Sequence, residues 1–125
     1  SKTGGALEKM RTPIVSPLGS GNQYMAWIHI DDLCNLYIKA IEETFVGVYN
    51  TVSPEFHTSK TFSKALAKAI KRLFLPIAVP GFLLKLVFGE LAIILLHGSR
   101  LSSDKIKEKG FIFKYKELAL ALKNL

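Results

Sequence analysis

The stretch Gly19-Ser-Gly-Asn-Gln-Tyr-Met-Ala-Trp-Ile-His-Ile-Asp-Asp-Leu33 combines a glycine turn, an aromatic strand and the start of a helix. Gly19 and Gly21 provide the backbone freedom that a tight turn requires, so a hairpin turn is predicted here. The bulky residues that follow suit a pleated, mostly buried surface, which predicts an extended segment ending near His29. These bulky residues are Met25, Trp27, Ile28 and Ile30. The stretch therefore forms a corner between a strand and a helix.

Three side chains with binding chemistry, Gln23, Trp27 and His29, alternate along one side of this segment. An amide, an indole and an imidazole on one face are typical of a small-ligand cleft, although an aromatic strand packed in a core is the alternative. Asp31 or Asp32 is expected to cap the helix that begins here. A carboxylate beside His29 also favours acid–base chemistry, whereas structural hydrogen bonding is the commoner role of such a histidine.

The composition is that of one ordered domain, because 49% of the 125 residues are hydrophobic and 22% are charged. Cys34 is the single cysteine and cannot form an internal disulfide, which favours a cytoplasmic location and a small buried side chain. The most apolar region is Leu73–Leu96. Its uncharged runs are shorter than the ~20 residues that cross a bilayer, so no membrane is expected as a partner.

Positive charge is the main departure from an average composition, with a formal net charge of +7. Lys60, Lys64, Lys68 and Lys71 recur at helical spacing and share one face of a predicted helix. Nucleic-acid-binding proteins usually add arginines to such lysines, but the chain has only three. A solvated face is therefore favoured, and no nucleic acid is expected as a partner. A basic module that binds an acidic protein or nucleic acid is the alternative function.

Helices and short strands alternate in the predicted secondary structure, which indicates a mixed α/β class. Apolar residues at helical spacing predict a helix over Asp31–Glu43, with an inner face formed by Leu33, Leu36, Tyr37, Ala40 and Ile41. A second helix begins at Thr58 or Ser59. The other predicted elements are a short strand near Ile14 and Val15, a strand over Val48–Val52, an edge strand over Ile77–Val79, helices that begin at Pro80, Glu90 and Ser102 or Ser103, and a last helix over Glu117–Leu125.

Motifs of common enzyme classes are missing from the sequence. It contains no P-loop, no G-x-G-x-x-G dinucleotide fingerprint, no G-x-S-x-G elbow and no tyrosine followed four residues later by lysine. The three histidines show no metal-ligand spacing with each other or with Cys34, so no metal is expected. No catalytic residue is predicted in this chain.

The sequence resembles the C-terminal half of the atypical extended short-chain dehydrogenase/reductases, NAD(P)-dependent epimerase-like proteins often labelled putative cell-division inhibitors. The resemblance covers essentially the whole chain. The segments that carry it are Gly4-Gly5-Ala6-Leu7, Leu18-Gly19-Ser20-Gly21, Trp27-Ile28-His29-Ile30-Asp31-Asp32-Leu33, Val48-Tyr49-Asn50, Pro80-Gly81-Phe82, Phe88-Gly89-Glu90 and Lys109-Gly110-Phe111.

The resemblance implies that residues 1–125 are a helix-rich C-terminal substrate lobe with a few short strands, to which an N-terminal Rossmann domain binds. The parent would use NAD or NADP, and its glycine fingerprint and catalytic tyrosine and lysine would precede Ser1. The Val48–Val52 strand would extend the sheet of that domain. Without it, the chain would be inactive and bind no dinucleotide tightly, and its unpaired edge would favour a homo-oligomer.

The same resemblance assigns two groups of site residues. Thr3, Gly4 and Gly5 would face the nicotinamide end of the cofactor. Gln23, Trp27 and His29 would approach a small-molecule substrate, which in this family implies a sugar nucleotide.

Overall fold

Short strands and helices alternate over residues 13–124, the part of the chain that the computed structural model describes. The strands are β1 (Ile14–Val15), β2 (Tyr24–Met25), β3 (His57–Thr58) and β4 (Leu73–Phe74). The helices are α1 (Ile30–Glu42), α2 (Ser59–Ala69), α3 (Gly81–Phe88), α4 (Leu91–Leu96), α5 (Asp104–Glu108) and α6 (Leu118–Lys123). The predicted helix-rich α/β class with a few short strands is confirmed.

The strands form two small sheets that join distant parts of the chain. Strand β1 pairs in parallel with β4, with Ile14 opposite Leu73, and β2 pairs antiparallel with β3. Within residues 13–124, the segments on either side of the glycine turn pair with other elements rather than with each other. The predicted hairpin is therefore wrong, although the turn exists. The predicted edge strand over Ile77–Val79 is reduced to a single bridge between Val79 and Leu18.

Helix α2 forms the centre of the larger hydrophobic core. Its buried residues Phe62 and Leu66 pack with Val15 of β1 and with Leu118 and Leu122 of α6. Of the two predicted caps, Thr58 and Ser59, the structure has Thr58, whose side chain accepts a hydrogen bond from the Thr61 backbone N–H. The opposite face carries the exposed lysines Lys60, Lys64 and Lys68, as the helical spacing predicts.

Helix α1 packs on a smaller core through one side only. Leu36 contacts a cluster that contains Ile106, Phe111 and Phe113. Three further large apolar residues of the helix, Tyr37, Ile38 and Ile41, are exposed and are called the outer α1 face below. The predicted inner stripe is therefore only partly buried, and Cys34, predicted to be buried, is exposed.

The segment predicted as a strand over Val48–Val52 forms no strand in the described part of the chain. A strand needs a neighbour to accept and donate its backbone hydrogen bonds. Here the ladder is limited to one bond at the end of the segment, from the Ser53 backbone N–H to the Trp27 carbonyl at 2.8 Å. Val48 remains 83% exposed, so the expectation of a formed strand is wrong for this chain.

Helices α3 and α4 pack on each other and expose large apolar residues, among them Phe82, Leu86 and Ile94. Helix α3 begins directly after Pro80, which confirms the predicted helix start, and Leu84 is the buried residue of that helix. The loop after α4 approaches β2 so closely that a Cβ atom at Gly98 would lie 1.8 Å from the Tyr24 carbonyl oxygen. Only glycine fits at this contact, which fixes the path of the chain toward Arg100. None of the helices within residues 13–124 has the length and apolar character of a membrane span.

Candidate functional site

The glycine turn is braced by the side chain of Gln23. Gly19 has a positive φ of 58°, and the Gly21 backbone N–H donates to the Leu18 carbonyl to close the turn. The Gln23 amide nitrogen donates to the same Leu18 carbonyl at 2.8 Å, and its amide oxygen accepts from the Ser20 hydroxyl at 3.2 Å. Gln23 thus holds the turn that precedes β2.

His29 caps helix α1. Its Nδ1 accepts a hydrogen bond from the Asp31 backbone N–H at 3.1 Å, and its ring stacks on Tyr115 with 3.9 Å between ring centroids. The predicted cap by Asp31 or Asp32 is therefore wrong, since an imidazole nitrogen takes the place of the expected carboxylate. Because Nδ1 accepts, the neutral ring carries its proton on Nε2. That buried atom has no partner among residues 13–124.

Asp32 ties α1 to the segment after α5. Its two carboxylate oxygens accept hydrogen bonds from the backbone N–H groups of Lys114 and Tyr115, both at 2.8 Å, and the residue is 0% exposed. Asp31 is closer to solvent, with Oδ2 3.8 Å from His29 Nδ1. Since Asp32 is engaged by backbone amides and His29 Nδ1 by a cap, the geometry favours a structural role for this group over an acid–base pair.

Trp27 forms part of the wall of a narrow cleft. The indole Nε1 donates to the Glu55 carbonyl at 3.0 Å, which fixes the ring beside Phe56 and Arg100. This Trp27 cleft contains about 230 Å³ of empty space, its open mouth included. The enclosed part of this space is only about 10 Å³, close to the minimum of about 10–15 Å³ for one water molecule, so the cleft alone holds no more than a water-sized group.

A wider groove adjoins the Trp27 cleft. It contains about 540 Å³ of empty space, part of which is open solvent. This Arg100 groove is lined by Pro54, Phe56, Arg100, Ser102, Ser103, Asp104 and Lys107. Phe56 and Arg100 belong to both walls, so the two cavities meet at this pair.

Comparisons with known proteins relate this chain to part of longer proteins. Residues 79–125 match the model of a domain of unknown function, DUF1731. The chain is 38% identical to the mouse epimerase family protein SDR39U1, over 98% of the chain and 43% of that protein. It is 34% identical to the epimerase family protein SAR0825 of Staphylococcus aureus, over 100% of the chain and 43% of that protein.

A solved structure extends this similarity to three dimensions. The crystal structure of human epimerase family protein SDR39U1 (isoform2) with NADPH matches with a TM-score of 0.89 and 33% identity, over 99% of this chain and 44% of that one. The chain matches the C-terminal part of these epimerase family proteins. It spans less than half the length of these relatives.

The residues predicted to line a substrate site occupy different positions. Trp27 lines a cavity, whereas Gln23 braces the turn and His29 caps α1, so neither is part of the Trp27 cleft or the Arg100 groove. Substrate contact by the three remains a prediction. The predicted cofactor residues Thr3, Gly4 and Gly5 lie outside the described residues. Sequence reasoning missed Phe56 and Arg100, since their pairing joins positions far apart in the chain.

The sequence contains no fingerprint for the pyrophosphate of a dinucleotide. The pyrophosphate of such a cofactor usually lies on a glycine-rich turn that opens a helix, and no G-x-G-x-x-G occurs in the sequence. Within residues 13–124, no group of three or more His, Cys, Asp or Glu side chains is arranged to hold a metal ion.

Proposed function

We propose that this chain forms the substrate-binding C-terminal part of an NAD(P)-dependent oxidoreductase of the epimerase type. The observation that carries the proposal is its similarity, over nearly its whole length, to the C-terminal part of proteins more than twice as long, one of them solved with NADPH. In this proposal, the catalytic tyrosine and lysine and the dinucleotide site belong to an N-terminal part. The chain by itself is then inactive.

The outer α1 face supports docking of such an N-terminal part. Ile41 is 78% exposed and Tyr37 is 61% exposed, on a helix whose other side is packed. Val48, in the neighbouring unpaired segment, continues this apolar surface along the sequence. Burial of each such side chain stabilises a protein by about 1.5–3 kcal/mol. An added sheet would both cover the helix and give Val48–Val52 the strand partner that it lacks within residues 13–124.

The role of this chain in the reaction is to shape the substrate cleft. Trp27 offers an aromatic wall that the Glu55 carbonyl holds in place. Gln23 and His29 fix the two ends of the segment that carries Trp27, one at the turn and one at the helix start. A bound dinucleotide would supply hydride chemistry, and Trp27 would orient the small-molecule substrate toward it. A sugar nucleotide is the substrate class that the family resemblance implies.

A titration with NADPH tests whether the cofactor site belongs to the N-terminal part. We expect the isolated 125-residue chain to show no saturable change in NADPH fluorescence at millimolar cofactor, since the cofactor site lies in the other part. Micromolar, saturable binding would contradict the proposal. Determining the coding sequence before Ser1 is the independent check. A glycine fingerprint and a Y-x-x-x-K motif there support it, and a different domain there overturns it.

A further inference from the structure

We propose that the chain forms a symmetric dimer with a second copy of itself through the outward sides of helices α3 and α4. This α3–α4 face consists of six large apolar side chains, each more than half exposed: Phe82, Leu86, Val87, Leu91, Ile93 and Ile94. The inference does not depend on the proposed function, because it concerns a surface other than the outer α1 face.

A sharp turn at Gly89 brings α3 and α4 together. Gly89 has a positive φ of 59°, which glycine adopts without strain, and the helices on either side of it pack on each other. Each helix places a buried residue in the larger core, Leu84 from α3 and Ala92 from α4. Since the inner sides of both helices meet the same core, their outward sides lie next to each other and form one surface.

The α3–α4 face has the size and apolar character of a dimer interface. Burial of one such side chain removes roughly 100 Å² of apolar area from water, so six of them, each more than half exposed, offer on the order of 500 Å². A stable interface takes about 800 Å² from each partner, of which about 60% is apolar. The face therefore supplies the apolar part of an interface of ordinary size.

The charges of this region favour a second copy of the chain over an acidic partner. Between Leu73 and Leu96 the sequence has one cation, Lys85, and one anion, Glu90, so this region is neutral in a chain with a formal net charge of +7. An acidic protein or an anionic lipid surface would be attracted to the basic residues elsewhere in the chain. Two positively charged copies repel each other least where they meet through a neutral surface.

Lys85 and Glu90 also give the face a self-complementary pattern. Both are exposed, and neither takes part in an ion pair within residues 13–124. In a two-fold symmetric dimer every contact occurs twice, with residue i of one copy opposite residue j of the other. An axis that passes between α3 and α4 places Lys85 of each copy opposite Glu90 of the other. The two charge pairs then fix the orientation, while the apolar side chains supply most of the affinity.

The α3–α4 face is separate from the outer α1 face, on which the N-terminal part is proposed to dock. Helix α1 packs on the smaller core, which contains Ile106, whereas α3 and α4 pack on the larger core. Docking on α1 therefore leaves the α3–α4 face to a second copy of the chain.

Sedimentation velocity of the 125-residue chain at several concentrations tests the inference, and a reversible equilibrium between monomer and dimer is expected. Leu86→Glu places a charge on the most exposed residue of the face and should raise the dimer dissociation constant at least about thirtyfold, as for a hot-spot residue. Ile41→Glu on the outer α1 face is the matched control and should leave the constant unchanged. Leu86 is 79% exposed and Ile41 is 78% exposed, so both variants should fold, which circular dichroism checks.

Exchange of the two charges tests whether the partner is a second copy. Lys85→Glu and Glu90→Lys should each weaken the dimer by about tenfold, because like charges then face each other twice. The double variant should return to within about twofold of the wild-type dissociation constant, since both pairs form again with the signs reversed.

Four results would decide against the dimer. A wild-type chain that stays monomeric at every concentration would overturn the inference, and so would a dimer that Ile41→Glu dissociates and Leu86→Glu does not. Failure of the double charge variant to regain affinity would refute the two-fold arrangement and the inference with it. Loss of the dimer when the N-terminal part is joined to the chain would show that this part covers α3 and α4 instead. Saturable NADPH binding by the isolated chain would refute the proposed function without affecting the dimer.

Discussion

Helices α1 and α2 have similar amphipathic patterns but very different surroundings. In α2, Phe62 and Leu66 are buried and exposed lysines occupy the opposite face, so the apolar face of this helix is covered within the chain. In α1, Leu36 is buried while Tyr37 and Ile41 are exposed. The apolar face is buried in α2 and only partly buried in α1. The difference indicates that α2 stabilises this chain, whereas α1 has one side available for a partner.

Replacing one large apolar side chain of each helix by alanine should show this contrast most strongly. Leu66 is 1% exposed, so Leu66→Ala should lower the free energy of unfolding by about 2–5 kcal/mol through lost burial and a cavity. Ile41→Ala should change it by no more than about 0.5 kcal/mol, because the side chain is already in water. Urea unfolding monitored by circular dichroism measures both.

The outcome that would break the comparison is a large loss of stability from Ile41→Ala. It would mean that the outer α1 face is covered in one of two ways. The cover is either residues of the same chain outside 13–124 or a second copy of the chain. Repeating the unfolding at several protein concentrations separates those two, since only self-association makes stability depend on concentration.

The next largest effect should come from the polar anchor of α1. Asp32→Ala leaves the backbone N–H groups of Lys114 and Tyr115 without their acceptor, and because the Tyr115 hydrogen bond is buried this should cost about 2–3 kcal/mol. Asp31→Ala is the matched control, because that carboxylate is partly exposed and acts mainly on the positive end of the helix, worth about 0.3–1 kcal/mol. Similar losses in the two variants would show that Asp32 does not hold α1 to the 114–115 segment.

Much of the local structure follows from sequence signals that act over a few residues. The Thr58 cap, the start of α3 after Pro80 and the lysine face of α2 each depend on neighbours within one or two helical turns, so spacing and capping rules find them. The cap of α1 was the exception. Aspartates are preferred caps, but Asp32 accepts a hydrogen bond from the Tyr115 backbone N–H, and His29 occupies the cap position instead.

The candidate site was harder to predict because its contacts are distant in sequence. Asp32 meets a backbone 82 residues away, and the Arg100–Phe56 pair forms only after Gly98 passes β2. No pattern within a few residues predicts a contact between such distant positions. The Val48–Val52 strand shows the opposite case, in which the local pattern is suitable but the required neighbour strand is missing from the described residues.

The smallest effect concerns the start of α2, where two threonines cap the helix reciprocally. The Thr61 backbone N–H donates to the Thr58 hydroxyl at 3.3 Å, and the Thr58 backbone N–H donates to the Thr61 hydroxyl at 2.9 Å. Thr58→Ala should therefore lower the free energy of unfolding by about 1 kcal/mol, and Thr58→Ser should restore most of it. Because the two hydroxyls also contact each other, the double alanine variant should lose less than the sum of the single variants. Strict additivity in this cycle would show that the capping box does not act as a unit and that α2 depends on its buried face alone.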